Sequence, residues 1–172
     1  MHVSKLNIAD ASRYRALMLH AYAAAADAFT STPEERAAEP SSWWEARIAD
    51  PKGFSQAFGA FEQDELIGTV TVEFSAKPKT RHRALLIGMF VNEFSRGLGA
   101  GKALLQAALA SAAARDGVRV VNLTVTEGNA AAIRLYESVG FTTFGTEPMA
   151  IATPTGFKSK VHMWLNLAAS AL

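Results

Sequence analysis

Apolar positions along this chain change period several times, and each change marks an element. Val3 to Ile8 alternates weakly, as an opening strand does. From Asp10 to about Phe29, Leu17, His20 and Ala21 or Ala24 fall on related faces, which predicts a helix begun by Asp10 or Ser12. Thr30 to Pro40 is polar and broken by Pro33 and Pro40, so it reads as a loop with a short helical turn. Ser41 or Ser42 is expected to cap a second helix that carries Trp43, Trp44, Arg47 and Ile48 and stops at Pro51-Lys52-Gly53. One tryptophan should enter the core and the other lie at the rim of a cleft.

Two strands follow, Gln56 to Phe61 and Leu66 to Phe74, joined as a hairpin by Glu62-Gln63-Asp64-Glu65. A third, Leu85 to Val91, contains one glycine, Gly88, among bulky residues, the mark of a bulge. Beyond a glycine-rich loop, Leu104, Leu105, Ala108, Leu109 and Ala112 recur with helical spacing, and Gly117 closes that helix. Val121, Leu123 and Val125 alternate as a strand; a helix from Asn129 to Gly140 and two last strands, Phe141 to Ile151 and Ser159 to Leu167, complete the chain. This order predicts an α/β (α+β) domain with a mixed, mostly antiparallel sheet flanked by helices. The strands before and after the glycine-loop helix should run parallel through a right-handed crossover.

Composition narrows the class. At 172 residues, 49% hydrophobic and 19% charged, the chain reads as a single domain over residues 1–172 with a sizeable core. A net charge of +1 gives no global attraction to nucleic acid. No cysteine is present, which removes thiol nucleophiles, disulfides and thiolate metal sites. His2, His20, His82 and His162 have no ligand spacing, so no metal is expected. No stretch approaches the roughly eighteen apolar residues of a membrane span. The apolar run Ala16 to Ala26 is read as the first helix, not a signal peptide, and a cytoplasmic location follows as an expectation. The basic segment Lys77 to Arg83 reads as a solvated loop.

Candidate chemistry concentrates at Arg96-Gly97-Leu98-Gly99-Ala100-Gly101-Lys102, between a strand and a helix. Its glycines let the backbone turn tightly, and the amides of a helix beginning there are unpaired and partly positive. Together they make a phosphate cradle. A Walker A loop would need glycine where Arg96 stands and a hydroxyl where Ala103 stands. The dinucleotide fingerprint fails too, because its third glycine would fall on Lys102.

What remains, Arg-x-x-Gly-x-Gly/Ala after a strand and before a helix, resembles the acetyl-coenzyme A loop of the GNAT superfamily of N-acetyltransferases. Downstream, Asn129-Ala-Ala-Ala-Ile-Arg-Leu-Tyr136-Glu-Ser-Val-Gly140-Phe141 is similar to that family's Asn-x-x-Ala-x-x-Leu-Tyr-x-x-x-Gly-Phe signature. The resemblance covers nearly the whole chain. It implies a six- to seven-stranded sheet with about four helices, whose two parallel central strands splay to admit the pantetheine arm. It implies acetyl-CoA as co-substrate and direct acetyl transfer to a primary amine, a small molecule or a protein N-terminus, without a cysteinyl intermediate. Residues 96–102 would then meet the pyrophosphate, and the backbone of Met89, Phe90 and Val91 the pantetheine. Asn129 would bond coenzyme A besides capping its helix, and Tyr136 would protonate the departing thiolate.

The base is open on sequence alone: Glu73, Glu93 and Glu127 are candidates by position, and a water chain would serve equally well. The family also implies a homodimer through the later strands. Its bacterial relatives often carry arginine at the Met149 position and acidic residues near Ser159-Lys160, and this chain departs at both, which leaves the acceptor open. Two readings compete with the enzyme: a non-catalytic acyl-CoA-binding sensor of the same fold, and an unrelated nucleotide-binding protein.

Overall fold

The computed structural model describes residues 1–168. Seven strands form one sheet: β1 (His2–Lys5), β2 (Ser55–Glu62), β3 (Glu65–Phe74), β4 (Arg83–Val91), β5 (Val120–Thr126), β6 (Thr142–Thr153) and β7 (Gly156–Asn166). Their spatial order is β1-β2-β3-β4-β5-β7-β6, with β4 and β5 parallel and every other pair antiparallel. The helices are α1 (Ala11–Ala24), α2 (Pro33–Ala37), α3 (Ser41–Ala49), α4 (Ala100–Ala114) and α5 (Ala130–Glu137). The mixed, mostly antiparallel architecture predicted from element order is the one observed.

Alternation along β3, reset by a bulge at Ile67, divides the core. Val70, Val72 and Phe74 pack with Leu104, Leu105, Ala108 and Leu109 of α4, all buried on one face of the sheet. On the other face Leu66 joins Tyr14, Met18 and Tyr22 of α1 with Trp44 and Ile48 of α3. Fully burying a leucine contributes about 1.5–3 kcal/mol, so the paired leucines of α4 anchor that helix and fix where its first turn lies. The polar residues of β3 on the α1 side are not left unpaired: Thr69 Oγ1 donates to the Phe58 carbonyl at 3.0 Å, and Thr71 Oγ1 lies 3.4 Å from the Tyr14 hydroxyl.

Several boundaries differ from the sequence expectation. The first helix ends at Ala24 and is followed by a separate 3-10 turn at Ala26–Ala28. It is led in by Asn7, whose side chain accepts from the Ala9 amide while Asp10 answers from the opposite direction, so the capping falls one turn earlier than Asp10 or Ser12. Pro40, in extended conformation, precedes α3 in place of a serine cap. The β2–β3 connection is a two-residue turn, because Glu62 and Glu65 pair and only Gln63 (φ 47°) and Asp64 (φ 68°) turn. β6 and β7 run further than expected and meet at Thr153–Gly156, with a register shift between Glu147 and Ile151 that holds Met149 at φ 51°.

Gly88 breaks the regularity of the central strand. Thr71 pairs with Ile87 and Thr69 with Phe90, so one β3 residue faces two on β4, and Gly88 takes φ 61° at the extra position. The parallel β4–β5 ladder covers Arg83↔Val120, Ala84↔Val121 and Leu85↔Asn122 and then ends. From Leu86 onward the two strands separate.

Candidate functional site

A cleft of about 630 Å³ opens where β4 leaves β5. Its walls are β4 residues Leu86 to Val91, β5 residues Thr124 to Thr126, the first turn of α4, and Asn129, Leu135 and Tyr136 around α5. The edge of β4 beyond Leu85 has no strand beside it, so its amides and carbonyls on that side lack ladder partners. Thr126 Oγ1, at the end of β5, is buried without a hydrogen-bond partner. An extended molecule with amide groups would answer both.

The glycine loop closes one end. Gly97 (φ 79°) and Gly99 (φ 84°) adopt left-handed backbone, and a Cβ at either would meet nothing within 4 Å. The glycines are therefore required by conformation, not by crowding. Gly99 is the N-cap of α4 and gives no side-chain cap, while the first internal bond of the helix runs from Ala103 N to the Gly99 carbonyl. The amides of Ala100, Gly101 and Lys102 are thus the unanswered donors of that helix, at a cleft-lining turn. Gly101 has a packing role: a Cβ there would stand 3.0 Å from Leu135 Cδ2, so its absence lets α4 approach α5. Arg96 braces the loop, donating from Nε to the Val91 carbonyl at 3.1 Å with its guanidinium over the Phe90 ring.

Asn129 caps α5 through Oδ1, which accepts from the Ala132 amide at 3.2 Å. Tyr136, seven residues on, is buried against Phe141, with ring centroids 6.0 Å apart. Burial pushes its phenol up to about 12, so the hydroxyl holds its proton throughout the physiological range.

Of the residues singled out from sequence, Met89, Phe90, Val91, Arg96, Gly97, Gly99, Ala100, Gly101, Lys102, Asn129 and Tyr136 all lie on this cleft. Leu98 does not; its side chain turns outward and is 62% exposed. The carboxylates are placed elsewhere. Glu73 does not line the cleft: its Oε1 meets Arg47 Nη1 at 3.3 Å. Glu93 pairs with His20 at 3.3 Å, and its own backbone amide together with that imidazole holds its carboxyl below the usual range. Glu127 lines a neighbouring hollow with Asp27 and Lys158, which form an ion pair there. Strand alternation could not settle which carboxylate faces the gap, because Glu93 and Glu127 lie beyond the ends of their strands and Glu73 is held by Arg47.

Sequence reading passed over Tyr22, Arg36, Arg47, Thr126 and Lys160, which complete the wall. They come from five separate elements, and no local motif joins them. Of the two tryptophans, Trp44 is in the core and Trp43 is half-buried beneath Arg36 and Arg47. Among the described residues, the charged side chains of the cleft are Arg36, Arg47, Arg96, Lys102 and Lys160, and no aspartate or glutamate lines it. Such a site draws anions.

A crossover sheet with a parallel pair forced apart beside a bare helix start defines a fold class, and comparison identifies it. Residues 18–141 match the Acetyltransferase (GNAT) family, and the chain belongs to that family. It is 36% identical over 131 residues to the mycothiol acetyltransferase of Geodermatophilus obscurus, covering 68% of this chain and 38% of that protein. It is 29% identical over 103 residues to the L-amino acid N-acetyltransferase AaaT of Escherichia coli, covering 60% and 62% respectively. The chain thus spans less than two thirds of the length of these curated relatives. Among solved structures, yncA of Salmonella typhimurium, determined with its cofactor acetyl-CoA, shares the fold at a TM-score of 0.81 and 23% identity, covering 100% of this chain and 96% of that one. Among the described residues no helix is long and apolar enough to cross a membrane.

Proposed function

We propose that this protein transfers an acetyl group from acetyl-CoA to a primary amine by direct attack within a ternary complex. The observation that carries the reading is continuity: one cleft joins the unpaired amides of α4, the unpartnered edge of β4 and the Tyr136 hydroxyl. These are the three things a diphosphate, an amide-bearing arm and a leaving sulfur need, in that order along one path. The orphaned Thr126 hydroxyl and the charged side chains of the wall, all of them cationic, fit the same ligand.

The residues have distinct tasks. Ala100, Gly101 and Lys102 donate backbone N–H groups to the diphosphate, and Gly97 and Gly99 shape the loop so that it can approach. Met89, Phe90 and Val91 present backbone groups along the splayed edge, and Asn129 adds an amide beyond its cap. Acetyl-CoA supplies the activated acyl group, a thioester whose carbonyl accepts the amine as the carbon–sulfur bond breaks. A β4 amide near Phe90 polarises that carbonyl. Tyr136 holds its proton at neutral pH and donates it to the departing sulfur. A thiolate ordinarily has a pKa near 8.5, and burial in the same pocket raises it towards that of the phenol. Since no carboxylate among the described residues lines the cleft, the acceptor's ammonium proton passes to water before attack, and the proton freed as the amide forms returns through water to the Tyr136 phenolate.

Thiol release measured over a panel of primary amines tests this reading. Turnover on at least one amine, saturable in acetyl-CoA, is the expected result. Tight coenzyme A binding with no release on any amine would replace the enzyme with a non-catalytic sensor.

A further inference from the structure

The wall of the cleft built by α1, α2 and α3 contains side chains that the carrier does not use. Tyr22, Arg36 and Arg47 lie there, from three different helices. Both guanidinium groups rest on one aromatic ring: the carbon of Arg36 is 4.6 Å from the Trp43 centroid and that of Arg47 is 5.3 Å away. Burial pushes the Tyr22 phenol up, and both arginines pull it back towards ionisation, so the three groups share one electrostatic neighbourhood.

Two like charges held together call for anions, and the protein supplies them sparingly. Arg36 Nη1 reaches Glu39 Oε1 at 3.4 Å, and Arg47 Nη1 reaches Glu73 Oε1 at 3.3 Å, both at the long end of the range for charged pairs. Both carboxylates are about a third exposed, and neither lines the cleft. The Nε atoms of the two arginines are buried without an acceptor. A guanidinium is a planar fork of about five donors suited to a carboxylate, and each of these spends one Nη on a long ion pair at the edge of the cleft while its Nε has no acceptor.

Position separates this pair from the carrier site. Glu73 pairs with Leu85, the last β4 residue that β5 also pairs, so Arg47 stands at the apex of the gap. It does so from α3, on the sheet face opposite α4 and its glycine loop. A diphosphate on the α4 amides therefore cannot be the anion these arginines await.

We propose that Arg36 and Arg47, with Tyr22, form a carboxylate subsite, and that the acceptor is an amino-acid-type zwitterion. Its carboxylate sits across the two guanidinium groups and its amine points into the gap between β4 and β5. The inference rests on the acetyl-transfer reading above. An amine without an acid group leaves the two guanidinium groups only their long ion pairs, and a polyamine adds further positive charge to a wall that already has five cationic side chains.

The test compares L-amino acids and dipeptides with their methyl esters, and with diamines of similar length, in the thiol-release assay. Free acids should exceed their esters by at least tenfold in kcat/KM, with diamines at the bottom. Arg47→Gln and, as a second variant should that one misfold, Arg36→Gln should bring the acid-to-ester ratio towards one while coenzyme A affinity stays the same. Esters or diamines used as well as acids by the wild type, or an acid preference that survives in both folded variants, would overturn the proposal. If no amine supports thiol release, the transfer reading falls on its own. The subsite is then decided by intrinsic tryptophan fluorescence, which sums Trp43, Trp44 and Trp164, read in the Trp164→Phe protein while the same acids and esters are titrated into its coenzyme A-bound form. Acid-selective quenching or enhancement lost in Arg47→Gln sustains it, and equal or absent binding refutes it.

Discussion

Gly99 separates the fold of this protein from its ligand in a single position. Its φ of 84° disfavours most side chains by about 1–2 kcal/mol, though asparagine and aspartate enter this region more easily. A side chain there would meet nothing within 4 Å, so crowding adds no cost in the free protein. Aspartate at the start of α4 also gains about 0.3–1 kcal/mol from the helix dipole. Gly99→Asp should therefore fold with a net change within about 1 kcal/mol, a shift of roughly 2–4 °C in melting temperature for a chain of this size. Binding should respond in the opposite sense. A carboxylate about 5 Å from a phosphate charge costs about 3 kcal/mol at an effective dielectric near 20. Halving that for solvent screening at an exposed loop leaves about 1.5 kcal/mol, a little over tenfold in affinity. Gly99→Asn has nearly the same shape and backbone preference without the charge, which makes it the control. Calorimetric titration of coenzyme A should find the aspartate variant at least tenfold weaker than the asparagine variant, with similar melting temperatures. Equal affinities would refute the placement of the diphosphate at these amides.

Three further outcomes are expected. Tyr136→Phe should lower thiol-release turnover by about tenfold to about a thousandfold with coenzyme A affinity unchanged, and unaltered turnover would remove its role as proton donor. The same residue links stability to pH. Its folded pKa of about 12 lies above the ordinary value of 10.0, so the native state holds the proton more tightly. That stabilisation is complete below pH ~10 and is lost as pH rises through about 12, amounting to about 2–3 kcal/mol, roughly half of it gone by pH ~11. Denaturant unfolding at pH ~8 and pH ~11 should show that loss in the wild type beyond any seen in Tyr136→Phe, and parallel curves would contradict it. Asn129→Ala removes the bond to the Ala132 amide and should cost about 1 kcal/mol with a drop of roughly 2–4 °C in melting temperature, together with weaker coenzyme A binding. A variant that melts and binds like the wild type would assign Asn129 neither task.

How much of this was legible in the sequence depended on whether the determinant was local. Gly97, Gly99 and the helix-start amides could be read because a left-handed turn and a bare helix start are written in adjacent residues. Gly88 could be read for the same reason, since a lone glycine in a bulky strand has few other uses. The two-residue turn at Gln63 and Asp64 was harder, because neither residue is the glycine that such φ values favour. Arg36 and Arg47 were invisible as a pair. They lie on separate helices and converge only when Trp44 and Ile48 seat α3 against α1 and leave the Trp43 ring within reach of both guanidinium groups. Glu73 was one of three candidate bases by its place late in a strand, and only the tertiary structure shows Arg47 occupying it.

The early end of the β4–β5 ladder has a mechanical consequence. Only three residue pairs stitch the first four strands to the last three, so the sheet is two plates sharing a short seam. The proposed arm between the plates would supply the missing stitches to both, so that capture of the carrier would also stiffen the seam.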